Sequence, residues 1–361
     1  MTPRALAPNR RQFLFAVASA VAYAAVPRAR SADALAARPR EIGLASNVWD
    51  VHNRFQVASG QRGDQSDPLT FLQRCHEVGA RGMQLPLGIR DADYTAKLRQ
   101  WAEARELYIE GSIDLSGNLD PTRFEQQVLT AKAAGAKVIR VVVIPGRRYE
   151  YFKSADEFAR ACDRAQANLQ RAEPIAAKLR MRIAVENHKC HRVDERLPLL
   201  KKLGSEWIGM CIDVGNSFSL CEDPLQVVKA YAPWAFSVHL KDQAVREYDE
   251  GFLFGDAPLG EGFLDLPEMI RIIKQARPGV RFSLEVMTRD PLKVPVLTER
   301  YWATMANVPA ADLFRTLRTV KTRASKDPLP TISNLPREKQ VECELANVTR
   351  SLSFAAQRLQ L

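Results

Sequence analysis

Ile183-Ala184-Val185-Glu186 is apolar until its last position, and the chain repeats that design in Met210-Cys211-Ile212-Asp213, Phe236-Ser237-Val238-His239 and Phe282-Ser283-Leu284-Glu285. Each run reads as a buried parallel strand, apolar on both faces, that ends on a carboxylate or an imidazole. A buried charge is costly unless it is paired or coordinated, so such a group at the same point of four strands implies a shared partner. In a parallel barrel the C-terminal strand ends converge on one face, where that architecture keeps its chemistry. Two Glu, one Asp and one His make a hard, oxygen-rich set. It suits one divalent metal (Mn²⁺, Mg²⁺, Co²⁺ or Zn²⁺) with positions left open for substrate oxygens.

Outward from these runs, strand-like segments at 42–45, 82–85, 107–113 and 138–144 precede them. Helix-like stretches alternate with the strands at 69–78, 94–104, 122–134, 155–179, 193–203, 224–231 and 266–276. Strict alternation of strand and helix is the pattern of a parallel α/β protein, and about 250 residues is the size of a (β/α)8 TIM barrel. An open doubly wound sheet is the alternative, but neither a GxGxxG nor a P-loop accompanies it. Residues 35–297 are therefore expected to form the barrel. Residues 298–361 are expected to supply a barrel-closing helix over 298–322 and, after Asp327-Pro328-Leu329-Pro330, a helical extension. In that extension Val341, Leu345, Val348, Leu352, Ala355 and Leu359 form one stripe. Such a stripe packs on its own domain more often than on a second copy of the chain, which leaves a homo-oligomer through this helix as the other expectation.

Residues 1–34 read as an export signal. Asn9-Arg10-Arg11-Gln12-Phe13-Leu14 opens an uncharged stretch over 13–26, followed by Ala32-Asp33-Ala34. That stretch is shorter than the ~20 residues a membrane helix needs, so no stable span is expected after processing. The arginine pair followed by Phe-Leu resembles the twin-arginine class, which carries folded proteins across the membrane and implies a periplasmic or secreted product. Removal of residues 1–34 takes away five Arg and one Asp and lowers the formal charge from +10 to +6. The remainder is spread along the chain, which favours a solvated surface and no nucleic-acid partner. The six cysteines show no CxxC or zinc-finger spacing, and any disulfide pairing stays open.

Glu186-Asn187-His188, Asp213-Val214-Gly215-Asn216, His239-Leu240-Lys241-Asp242 and Glu285, with the later Pro258-Leu259-Gly260-Glu261-Gly262, resemble the xylose isomerase-like TIM-barrel family in order and register. That family includes sugar isomerases, epimerases and relatives of apurinic endonucleases. Two departures stand out: Lys189-Cys190 where the family often has glycines, and Gln84 where many members carry Glu. The resemblance implies that Glu186, Asp213, His239 and Glu285 bind the metal. It also implies that Glu186 and Glu285 carry protons on either side of a small-molecule sugar or polyol.

A metal that chelates a carbonyl and its neighbouring hydroxyl stabilises an enediolate, so a carboxylate can remove the proton between them. His188 is expected either to meet substrate or to make a structural hydrogen bond, while Asn187 and Asn216 suit sugar hydroxyls. Lys241 and Asp242, just past the His239 strand, should touch ligands rather than metal, Asp242 alternatively capping a helix. Trp49 and His52 could line the mouth, with core packing and an ordinary loop as their alternatives. Arg246 could meet an anionic substrate. The reading is thus a metal-dependent sugar isomerase or epimerase. A lyase or hydrolase of an oxidised, 3-keto sugar or glycoside is the alternative, and a non-catalytic sugar-binding homologue ranks lower. Five histidines are few for a multi-zinc endonuclease.

Overall fold

The computed structural model describes residues 41–361 apart from Arg62, so the signal at 1–34 lies outside the described residues. Eight strands close a parallel barrel: β1 (Ile42–Ala45), β2 (Gly82–Leu85), β3 (Tyr108–Asp114), β4 (Val138–Val142), β5 (Arg182–Glu186), β6 (Ile208–Asp213), β7 (Ala235–Leu240) and, after an insertion, β10 (Arg281–Leu284). Neighbours in sequence are neighbours in the barrel, and β10 seals it by pairing with both β7 and β1. The four runs that decide the fold are β5, β6, β7 and β10. In register, Asp213 lies opposite His239 and Glu186 opposite Cys211, which puts the polar strand ends at one level of the barrel rim. The expected TIM barrel is what forms.

Two features depart from expectation. The chain leaves β7 and at once enters an antiparallel hairpin, β8 (Asp242–Tyr248) and β9 (Gly251–Ala257), to which β11 (Leu292–Val294) adds a third strand. Val245, Phe252, Phe254 and Val294 build a second apolar core with Phe218 and Tyr301 beneath this small sheet. The segment expected to close the barrel serves that core instead. It is broken into Glu299–Trp302 and Ala310–Arg323, and Val320 of the second piece is buried against β8.

The closing position belongs to the C-terminal helix Arg337–Phe354, which packs on the first helix, Asp50–Ala58. Its stripe residues Val348 and Leu352, with Ala355 and Leu359 in the turn after it, join the main barrel core, while Leu345 faces solvent. Most of the stripe thus packs on the chain's own barrel, the first of its two expected destinations. Glu344, itself buried, accepts from the backbone amides of Val51 (2.7 Å) and His52 (3.0 Å). A carboxylate from the last helix thereby satisfies amides in the first turn of the first helix, which have no partner within that helix. All six cysteines are free thiols.

Candidate active site

Glu186 ends β5, Asp213 ends β6, His239 is the penultimate residue of β7, and Glu285 follows β10 directly. All four are buried. Glu186, Asp213 and His239 each offer a donor atom within 4.8 Å of the others. His239 Nδ1 makes no hydrogen bond and faces three carboxylates: Glu285 Oε2 at 3.4 Å, Glu186 Oε2 at 3.8 Å and Asp213 Oδ2 at 3.9 Å. The opposite ring nitrogen, Nε2, meets Gln84 Oε1 at 2.6 Å. Burial works against charge on the ring, but Cys211 and Glu285 outweigh it and raise its pKa well above the ordinary value, so Nε2 donates to that carbonyl and Nδ1 holds a proton toward the carboxylates that a bound cation would displace. The donor set and the orphaned nitrogen both fit a hard divalent cation.

Cations of the chain itself also enter this cluster. Lys241 Nζ lies 2.7 Å from Asp213 Oδ2 and 2.5 Å from Glu285 Oε2, so it sits inside the ligand cluster rather than behind it. Arg140, on β4, donates from Nε to Glu186 Oε2 at 2.5 Å. Burial works against charge on Lys241, but the Asp213 and Glu285 carboxylates outweigh it and hold the ammonium protonated. Burial likewise pushes Glu186 up, yet Arg140 and then His239 bring its carboxyl below the usual range. For Glu285 burial is again overcome, here by Lys241 and His239, and its carboxyl lies well below that range. Burial raises Asp213 to about 7, with Lys241 opposing the shift and Glu285 adding to it.

The remaining expected residues divide. Asn216 belongs to the centre: its Oδ1 accepts from Lys189 Nζ and lies 3.5 Å from Lys241 Nζ, and its Nδ2 is buried without a partner. Asn187 does not face substrate. Its amide donates to the Asp213 carbonyl (2.8 Å) and accepts from the Asp213 amide (2.7 Å), tying the end of β5 to the end of β6. His188 Nδ1 meets the Gly146 carbonyl at 3.1 Å, the structural hydrogen bond of its two expected roles, and burial lowers its pKa to about 4.

Trp49 is buried in the barrel core with the Arg74 guanidinium 4.1 Å above its ring, so it lines no mouth. His52 lies on the first helix, 3.6 Å from Asp64. Arg246 lies opposite Leu253 across the hairpin, and its Nη1 is buried without a hydrogen-bond partner.

Asp242 neither orients a ligand nor caps a helix. Its carboxylate accepts from the amides of Gln243, Gly260, Gly262 and Leu264 at 2.9–3.2 Å. The Gly260-Glu261-Gly262 segment is therefore an anchored turn. A Cβ at Gly262 would run into Asp242 Oδ1, and Gly260 has φ +85° beside the Phe354 ring.

Sequence reasoning passed over Asn47, Arg140, Lys189, Glu110 and Ser237. Asn47, just past β1, donates to Glu285 Oε1 at 2.8 Å. Glu110 Oε2 accepts from Ser237 Oγ (2.6 Å) and Gln84 Nε2 (2.9 Å), so a buried polar chain runs from β3 to His239. The available signal was a charge inside an apolar strand, as in Val138-Ile139-Arg140-Val141-Val142. A cavity of about 580 Å³ opens among Tyr108, Glu110, Val138, Arg182, Phe236 and Arg281, at the N-terminal strand ends and away from this chemistry.

Carboxylates and an imidazole gather at the C-terminal strand ends of a parallel barrel, and three of them form a candidate metal site. The chain matches the xylose isomerase-like TIM barrel family over residues 72–307 and belongs to it. It is 25% identical over 125 residues to the 3-oxo-isoapionate decarboxylase of Pectobacterium atrosepticum, a match that covers 34% of this chain and 46% of that relative. Among solved structures it is similar to a xylose isomerase-like TIM barrel protein from Mycobacterium smegmatis in complex with magnesium, at TM-score 0.54 and 14% identity. That likeness covers 78% of this chain and 98% of the other. An L-ribulose 3-epimerase is similar at TM-score 0.51 and 14% identity, covering 90% and 97%. A D-psicose 3-epimerase determined in the presence of D-fructose gives 0.50 and 11%, covering 78% and 97%. At these identities the structures share the barrel fold.

Proposed function

We propose that the protein is a divalent-metal-dependent isomerase or epimerase of a small sugar or polyol, with Glu186, Asp213, His239 and Glu285 as metal ligands. The observation that carries this reading is His239 Nδ1, buried without a hydrogen bond and facing the carboxylates of Glu285, Glu186 and Asp213. A divalent ion bound there would polarise a substrate carbonyl and the hydroxyl beside it. The chain's own groups would then move the proton.

Glu186 and Glu285 reach the centre from strands with β6 and β7 between them, and both are held ionised. One can take a proton from the carbon between the two substrate oxygens while the other returns it. Arg140 and Lys241, fixed on these carboxylates, hold positive charge where negative charge develops on substrate oxygen. The buried, unpartnered Asn216 Nδ2 supplies a donor for a substrate hydroxyl.

Two measurements test this reading. Metal analysis of the purified protein should find about one equivalent, lost in Asp213→Ala; full metal content in both Asp213→Ala and Glu285→Ala would sink the ligand assignment. Incubation of a panel of ketoses, aldoses and sugar acids in D₂O should place deuterium at a single carbon of the substrate. Glu186→Gln or Glu285→Gln should slow that exchange at least ~10²-fold, the scale of a general-base contribution. Turnover without solvent deuterium would replace the glutamate pair with a hydride shift.

The decarboxylase relative supports a second reading, a lyase acting on an oxidised sugar. The same arrangement suits it, because breaking a carbon–carbon bond beside a carbonyl also leaves negative charge near Arg140 and Lys241. Release of CO₂ from a 3-oxo sugar acid would select it. Export by the twin-arginine route remains part of the proposal on the strength of Arg10-Arg11 and the uncharged stretch behind them.

A further inference from the structure

Among the described residues three cations at this rim have carboxylate partners. Arg140 is paired with Glu186, Lys241 with Asp213 and Glu285, and Arg289 with Asp256 at 3.0 Å. Lys189 differs from them. Its side chain is 3% exposed, and its ammonium donates to the neutral carbonyl oxygen of Asn216. Among the described residues no carboxylate makes an ion pair with it. Burial, with Lys241 and Arg289 adding to it, lowers its pKa to about 8 against the opposing pull of Asp213 and Asp256, which pair with Lys241 and Arg289 instead. A buried ammonium that makes no ion pair of its own costs the fold free energy, and an anion bound against it would lower that cost. A divalent metal at the proposed centre would deepen the deficit of negative charge, because Arg140 and Lys241 already offset the carboxylates there.

We propose that Lys189, with Asn216 beside it, receives the carboxylate of the substrate, and that the substrate class is therefore sugar acids rather than neutral sugars. This inference rests on the proposed function for the position of the reacting carbons. The recognition itself needs only the geometry of Lys189 and Asn216. Asn216 Oδ1 lies between the two lysine ammoniums, so an anion at Lys189 would sit one residue away from Lys241 and the metal ligands. A sugar acid bound there through its carboxylate places its adjoining hydroxyl-bearing carbons toward the centre.

The test is calorimetric titration of the manganese-loaded full chain with gluconate and xylonate, against glucitol and xylitol, which have the same skeletons without the carboxylate. The acids should bind at least tenfold more tightly. Lys189→Met should bring that preference below twofold while the affinities for glucitol and xylitol stay within twofold. Equal affinity for acid and alditol in the parent overturns the proposal. So does a preference that survives Lys189→Met, since it would come from the metal alone.

Thermal melting of the metal-free protein is the second measurement. Removal of an uncompensated charge should raise the melting temperature of Lys189→Met, and a lower one would reveal a structural partner and overturn the proposal. Lys189→Gln serves in the same two measurements if the Met variant fails to fold. These readouts do not depend on turnover. Loss of deuterium exchange would discard the paired-glutamate reaction and leave the acid preference standing, and the converse also holds.

Discussion

Asp213 and Glu285 carry carboxylates into a rim from which solvent is excluded, and Lys241 answers both with one ammonium. The convergence of Glu186, Asp213, His239 and Glu285 was legible because a strand that stays apolar until its last position advertises the exception. Lys241 was legible as a neighbour but not as a member, since spacing alone does not say how far a four-carbon stem reaches. Arg140 and Glu110 went unread for a different reason. Each lies inside a strand rather than at its end, and only the closed barrel shows that they point inward. Glu110 gives a test at this scale. Burial raises its carboxyl from the ordinary value to about 7, against the hydrogen bonds from Ser237 and Gln84. A carboxyl whose folded pKa is raised binds more protons in the native state than in the unfolded one. Stability therefore falls as pH rises from about 4.5 through 7, and above that the penalty is constant. Glu110→Gln removes the penalty and keeps an oxygen for Ser237 and Gln84. It should be more stable than the parent at pH 8, by on the order of 3 kcal/mol at most, and nearly equal to it at pH 5. Paired urea denaturations at the two pH values decide this, and an equal difference at both would show that Glu110 does not titrate there.

At the scale of elements, the eight barrel strands were readable because a buried parallel strand is a continuous apolar run. The hairpin β8–β9 was not, because Gln243-Ala244-Val245-Arg246-Glu247-Tyr248 alternates as a one-sided strand does and sits where the barrel pattern calls for a helix. Tertiary packing decided it: Phe252 and Phe254 needed a cover, and helix Ala310–Arg323 supplies it instead of closing the barrel. The stripe on Arg337–Phe354 was readable, but its destination was not, since an apolar face does not name its partner. Glu344 explains the choice of site, for it brings a carboxylate to the amides of Val51 and His52. Glu344→Ala leaves those amides without partners in a buried position. It should cost about 1–3 kcal/mol in urea denaturation, the range for orphaned buried donors. Hydrogen exchange should rise at Val51 and His52 before the rest of the barrel opens. Unchanged protection at both amides would count against the trans-cap.

For the whole molecule, the arrangement of the chain bears on where it acts. The helix that completes the barrel is the last long one made, and it packs on the first helix of the described residues. The barrel therefore closes only after synthesis has reached the C-terminal region. The proposed ligand cluster draws on β5, β6, β7 and the residue after β10, so a metal bound there would find all its donors only in the closed barrel. A chain threaded unfolded across a membrane would have to acquire metal on the far side, whereas one carried folded can be loaded first. The twin-arginine reading of Asn9-Arg10-Arg11-Gln12-Phe13-Leu14 agrees with the second order of events. Arg10→Lys together with Arg11→Lys preserves the charge while removing the arginine pair. The double variant should accumulate as full-length precursor in the cytoplasm, protease-resistant and with about one equivalent of metal, while the parent is processed and exported. Fractionation with metal analysis of both pools reads the result. Undiminished processing of the double variant would assign the segment to the general secretory route, and metal loading would then have to follow transport.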